Sequence, residues 1–138
     1  MHAALAHPDA RTFFDALRAA STLDEVALLV DRTLKGADFI EFARFDTGVM
    51  LRKDPETSGS RMIRFVIGNP LIMNQLARVP DAGLYAPVSL LVDLRVDGVH
   101  LSYDRMASLL GDSTDLRALD AARDLDRKIE RLLVAVAT

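Results

Sequence analysis

The stretch Val88-Ser89-Leu90-Leu91-Val92-Asp93-Leu94-Arg95-Val96-Asp97-Gly98-Val99-His100-Leu101-Ser102-Tyr103 decides the fold. Val88, Leu90, Val92, Leu94 and Val96 alternate with Ser89, Leu91, Asp93, Arg95 and Asp97, the period of a half-buried β-strand. Asp97-Gly98 is the dipeptide of a two-residue hairpin turn. With that turn Val96 is expected opposite Val99, and Val99, Leu101 and Tyr103 join Val92, Leu94 and Val96 on the core face. His100 then falls opposite Arg95, and Ser102 opposite Asp93, on the polar face. A slip of one residue would carry those polar groups into the core, so the pattern defines the register.

Working outward, two further strands are expected. One is aromatic-rich, around Phe39, Ile40, Phe42 and Phe45; the other runs through Met62, Ile63, Phe65, Val66 and Ile67 and ends at Gly68-Asn69-Pro70. A polar loop from Arg52 to Ser60 separates them. Leu71 to Val79 reads as a short helix with Pro70 at its first position. The tail from Thr114 to Val136 reads as a long amphipathic helix, with Leu116, Leu119, Ala122, Leu125, Ile129, Leu132, Leu133 and Val136 as its apolar stripe. At the other end, Phe13, Phe14, Leu17 and Ala20 have helical spacing, with Asp9 as a candidate cap. Thr22-Leu23-Asp24-Glu25 is a capping box that opens a second helix, and Gly36 suits its left-handed stop. The expected organisation is an N-terminal helical extension over residues 1–20 and one α+β domain over 21–138.

Composition narrows the function. The chain has 138 residues, 50% of them hydrophobic, and a formal net charge of −3. That balance supports a folded core and argues against a dedicated nucleic-acid binder, which carries a basic patch. Cysteine is absent, so thiolate chemistry, disulfides and cysteine metal sites are excluded. The N-terminal residues lack the form of a secretory signal, and no apolar run approaches the ~20 residues of a membrane span. The expected location is the cytoplasm, with no membrane partner.

The residues Phe65-Val66-Ile67-Gly68-Asn69-Pro70, Leu71-Ile72-Met73, Ala86-Pro87-Val88, Asp97-Gly98-Val99 and Ser102-Tyr103-Asp104, in this order, resemble the domain of unknown function 302 family. The resemblance covers the middle and C-terminal two thirds of the chain. It implies an antiparallel β-sheet with helices packed on one face, of the TATA-binding-protein-like type, often assembled as a dimer, and no agreed activity. Two departures stand out. Where the family opens with a strand before its first helix, Arg11 to Ala20 reads as helix. Where the family has a His-Ala-Ala-like segment, this chain has Thr47-Gly48-Val49.

Several residues are candidates for a site. Asn69, held extended by Pro70, either offers an amide at the mouth of a pocket or fixes a strand-to-helix corner. Tyr103, on the core face, needs a hydroxyl partner, for which Asn69 or a backbone carbonyl would serve. Asp93, Arg95, His100 and Ser102 form the one cluster with catalytic residue types, but neighbouring strand positions do not by themselves build a nucleophile, base and orienting acid. A metal site from His2, His7 and His100 would require the terminus to fold back on the hairpin, so no metal or cofactor is expected. The reading is a non-enzymatic homodimer that binds a small apolar ligand or a protein partner, with Asn69, Tyr103, His100 and Arg95 as ligand-binding candidates. Its alternatives are a hydrolase-like enzyme using the His100, Asp93 and Ser102 face, or a purely structural dimer.

Overall fold

Four antiparallel strands form one meandering sheet in the order β1-β2-β3-β4: β1 (Ile40–Asp46), β2 (Met62–Gly68), β3 (Val88–Arg95) and β4 (Gly98–Ser102). The computed structural model describes residues 1–138. Five α-helices accompany the sheet: α1 (Ala10–Ala19), α2 (Leu23–Leu34), α3 (Pro70–Leu76), α4 (Met106–Leu109) and α5 (Leu116–Ala137). This is the expected α+β architecture with a long C-terminal helix.

The helix starts are chemical. Asp9 accepts from the Thr12 amide at 2.8 Å and caps α1. Thr22 accepts from the Glu25 amide at 3.2 Å, and Glu25 reaches back to the Ser21 amide at 2.6 Å, so the box closes one residue earlier than its usual form. The left-handed stop of α2 begins at Lys35 (φ 49°) and continues through Gly36 (φ 93°). A non-glycine residue therefore opens it, at a small steric cost.

Phe65 and Ile67 pair across the sheet with Leu90 and Val88, and this face is sealed by α3, α4 and α5. Ile72 and Leu76 of α3, Met106 of α4, and Ala122, Leu125 and Ile129 of α5 meet it in one core. Alanines 118, 121 and 122 are all buried on α5 and let that helix lie close against its neighbours. Leu116, expected in the stripe, is 72% exposed because the buried face runs through Ala118, Ala121, Ala122, Leu125 and Ile129, and Leu116 lies on the other side of the helix.

A second, smaller cluster lies on the other side of the sheet at its β1 end. Ile40 pairs with Gly68, which puts it on the side opposite Ile67, and there it packs with Phe13 of α1 and Ala6. A β-bulge between Glu41 and Ala43 accommodates Phe42, whose ring lies 5.7 Å from Phe14 and 6.3 Å from Phe13. Ahead of α1, Ala6 makes a single parallel bridge to Ile40 along the outer edge of β1.

The hairpin corrects the sequence reading by one step of the turn. Arg95 pairs with Gly98, Leu94 with Val99, Asp93 with His100 and Leu91 with Ser102. The turn is therefore Val96-Asp97, and Gly98 (φ 134°) follows it. A turn centred on Asp97-Gly98 would demand positive φ at Asp97; placing the positive φ at glycine alone avoids that strain. The partition between faces survives because the register moves by two, but Val96 leaves the expected core face and stands fully exposed in the turn.

Candidate functional site

Tyr103 lies just beyond β4, where the chain bends towards α4. Its hydroxyl donates to Asp126 Oδ1 at 2.6 Å. The amides of Met106 and Ala107 donate to the same carboxylate at 2.8 and 3.0 Å. Asp126 sits on the apolar side of α5 and is only 5% exposed. The first residues of α4 have no side-chain cap of their own from Arg105, so a carboxylate from another helix satisfies their free N–H groups. Burial, and then the anion of Asp126, push the Tyr103 hydroxyl well above the ordinary tyrosine range. It is a donor held neutral, not a base. The partner expected for Tyr103 was Asn69 or a carbonyl; the partner found is Asp126. The signal was present in the spacing Ala122, Leu125, Asp126, Ile129, which places one acid inside an apolar stripe.

Asn69 uses both ends of its amide inside the fold. Its Oδ1 accepts from the Leu71 amide at 3.0 Å, capping α3, and its Nδ2 donates to the Asp38 carbonyl at 3.2 Å. Gly68 beside it has no positive φ. It is needed for space instead: a Cβ there would stand 2.8 Å from Met73 Sδ and 3.0 Å from Phe42 Cε2.

Arg95 and His100 lie on the opposite side of the sheet from the core. Arg95 Nε donates to Asp93 Oδ2 at 2.6 Å, and the guanidinium holds the Asp93 carboxyl below the usual carboxylate range. His100 Nε2 lies 2.8 Å from Asp97 Oδ1, not on Asp93. Ser102 stands opposite Leu91 and makes no hydrogen bond to His100. Ser102, His100 and Asp93 thus form no relay. Asn69, Tyr103 and the Arg95–His100 pair occupy three separate places.

Of these residues, Tyr103 lines a cleft. It is about 290 Å³ in volume, bounded by Tyr85, Pro87, Leu84 and Leu109, with Arg64 and Ser89 at one side and the acid Asp104 next to Tyr103. Arg64 Nε donates to Ser89 Oγ at 2.9 Å. Because β4 ends opposite Leu91, the β3 edge from Val88 to Leu90 has no strand beside it and borders this cleft. Four hollows are larger, at about 670, 580, 380 and 300 Å³; the two largest are lined by N-terminal residues with the end of α2 and by polar residues of α3 and α5. None combines aromatic walls with a cation.

The match to the family model described as "Domain of unknown function DUF302" runs over residues 16–136. The chain belongs to this family. A crystal structure of an uncharacterized conserved DUF302 protein from Bacillus stearothermophilus is similar to this DUF302 chain, with a TM-score of 0.59 at 16% identity, covering 80% of this chain and 88% of that one. That likeness establishes a shared fold. No curated protein matches. The family resemblance read from Gly68-Asn69-Pro70 and the hairpin is thereby confirmed, and the match extends well beyond those residues. No helix of this DUF302 protein is long and apolar enough to cross a membrane.

Proposed function

We propose that this protein is a non-enzymatic binding module whose ligand is a small molecule with an apolar, flat body and one anionic group. The observation that carries this reading is the cleft at the open edge of β3. Leu84, Tyr85 and Leu109 are 79%, 39% and 42% exposed around it, an apolar rim of the kind that marks binding sites. Tyr103 supplies a rigid aromatic wall, fixed by Asp126. Arg64 supplies the single cation at its side, suited to a carboxylate or sulfonate. Of the residues expected to bind ligand, Tyr103 keeps that role here; Asn69 is occupied in the α3 corner, and Arg95 and His100 are paired to acids on the hairpin.

The test exploits composition. The chain has two tyrosines and no tryptophan, and both tyrosines line the cleft. Tyrosine fluorescence is therefore a local reporter. Anilinonaphthalene sulfonate, with an aromatic body and a sulfonate, is the probe. Saturable 1:1 binding that changes tyrosine emission, and that weakens about 10- to 150-fold in Arg64→Ala, is expected, since a charge-assisted contact is worth about 1.5–3 kcal/mol. Binding unaffected by Arg64→Ala and Tyr85→Ala places the probe elsewhere and removes this reading.

A second reading, homodimerisation, rests on the hairpin. Leu94, Val96 and Val99 are 47%, 110% and 66% exposed and contiguous at its tip. A self-complementary contact there would bury all three. Val99→Glu would then lower the mass in solution from dimer to monomer; a monomeric wild-type protein disposes of the reading.

A further inference from the structure

The N-terminal segment folds along β1 rather than onto the hairpin, and this places His2 and His7 beside Glu41 and away from His100. The bulge in β1 is what builds the arrangement. In a regular strand residues three apart face opposite sides. Here the extra residue puts Glu41 and Arg44 on one side, opposite Ile67 and Phe65, and Arg44 binds Glu41 through two hydrogen bonds of 3.0 and 2.8 Å.

Hydrogen bonding decides which nitrogens are free. His7 Nε2 lies 2.6 Å from the His2 carbonyl, an acceptor only, so Nε2 carries the hydrogen. The Nδ1 lone pair of a neutral His7 then faces Glu41 Oε2 at 3.6 Å. His2 Nδ1 lies 3.7 Å from the same oxygen and contacts the Arg44 guanidinium, which only donates, so this Nδ1 is also an acceptor. Two imidazole nitrogens and a carboxylate oxygen thus lie within 4.8 Å of one another, the two rings stacked with centroids 3.8 Å apart, and Arg44 contacts His2 and Glu41 but not His7.

We infer that His2, His7 and Glu41 form a binding site for a divalent transition-metal ion of the zinc type, with the Arg44 guanidinium a competing cation on His2 and Glu41. Zinc held at about 2.0–2.1 Å by tetrahedral ligands separates them by about 3.3–3.5 Å; both nitrogen-to-Glu41 distances come within a few tenths of an ångström of that, and the stacked rings of His2 and His7, 3.8 Å between centroids, swing apart to present both nitrogens to one ion. Two nitrogens and one carboxylate oxygen are a borderline donor set that suits zinc over calcium or magnesium. The His7 Nε2–H bond to a carbonyl is the outer-shell contact that orients metal-bound imidazoles. Glu41 is already largely buried, with its side chain 10% exposed, whereas His2 remains accessible, so a fourth coordination position stays open to water or another ligand. The site would also clip the segment ahead of α1 to the sheet edge. His2 and His7 lie outside residues 16–136, so the family match does not extend to them.

The experiment is zinc titration of the untagged protein against a chromogenic chelator, repeated with cobalt to read the d–d absorption of a tetrahedral N/O site. One equivalent of zinc, bound with micromolar or tighter affinity and weakened at least tenfold in both His7→Ala and Glu41→Gln, is expected. Arg44→Ala, which removes the competing cation, is expected to tighten binding. Circular dichroism of each variant checks that the fold is kept. No stoichiometric binding, or binding that His7→Ala and Glu41→Gln leave unchanged, overturns the proposal. Weaker binding in Arg44→Ala overturns the assignment of its guanidinium as a competing cation.

Discussion

The Tyr103 hydroxyl donates to Asp126 across 2.6 Å, joining the end of β4 to the middle of α5 and holding the start of α4 between them. Tyr103→Phe removes this bond while leaving the two amide bonds to the carboxylate. The expected loss is about 1.5–3 kcal/mol, as for a hydrogen bond to a charged group. Asp126→Ala, which strands the hydroxyl and both amides, should cost about 3 kcal/mol or more. Urea unfolding checks both; equal stability of Asp126→Ala and the parent would show that the carboxylate does not anchor α4.

Alkaline pH probes the same bond. The folded state raises the Tyr103 pKa, so the neutral phenol is favoured in the folded protein. The contribution is fully present below the unfolded value, about 10, and is lost as pH rises above it. Stability should therefore fall above about pH 10, and fall less in Tyr103→Phe. Unfolding midpoints between pH 8 and 11 measure the difference.

Asn69→Ala should destabilise by about 1–2 kcal/mol, through loss of the α3 cap and of the link to the Asp38 carbonyl. Asn69→Asp keeps the capping oxygen but loses the donor, so it should fall between the two. Thermal unfolding of the three proteins ranks them; a neutral Asn69→Ala would place the corner's stability in Pro70 and the core instead.

Gly68→Ala should cost about 1–3 kcal/mol although the backbone tolerates alanine, because the new methyl meets Met73 and Phe42. The double change Gly68→Ala with Met73→Ala should recover part of that loss. Additive destabilisation in a double-mutant cycle would contradict the steric account.

On the hairpin, Arg95→Gln should raise the pKa of Asp93, which the Arg95 hydrogen bond holds down. In the parent, the associated stability is present above the unfolded carboxylate range and is lost as pH falls through the folded value. Carboxyl NMR titration of Asp93 in the two proteins shows the shift directly.

Much of the molecule was written in local patterns. Alternation from Val88 to Leu94 fixed which side chains share a face, because the strand period is two. The caps at Asp9 and Thr22, the Pro70 helix start and the stripe of α5 were equally legible, since each depends on residues within a few positions of one another. The turn was misplaced because Asp97-Gly98 reads the same whether glycine sits in the turn or follows it, and backbone strain chooses between them.

What the sequence by itself determined is the order of the four strands and of helices α1, α2, α3 and α5, the faces of the hairpin and the DUF302 likeness, all properties of short-range periodicity and turn chemistry, whereas α4 went unread. The tertiary structure alone decided that Asp126 meets Tyr103 from 23 residues away, that Gly68 yields space to Met73 and Phe42, and that a bulge at Phe42 turns Glu41 and Arg44 towards His2 and His7. Those contacts depend on how α5, α3 and the N-terminal segment dock on the sheet. Docking is a sum over the whole core, and no local spacing encodes it.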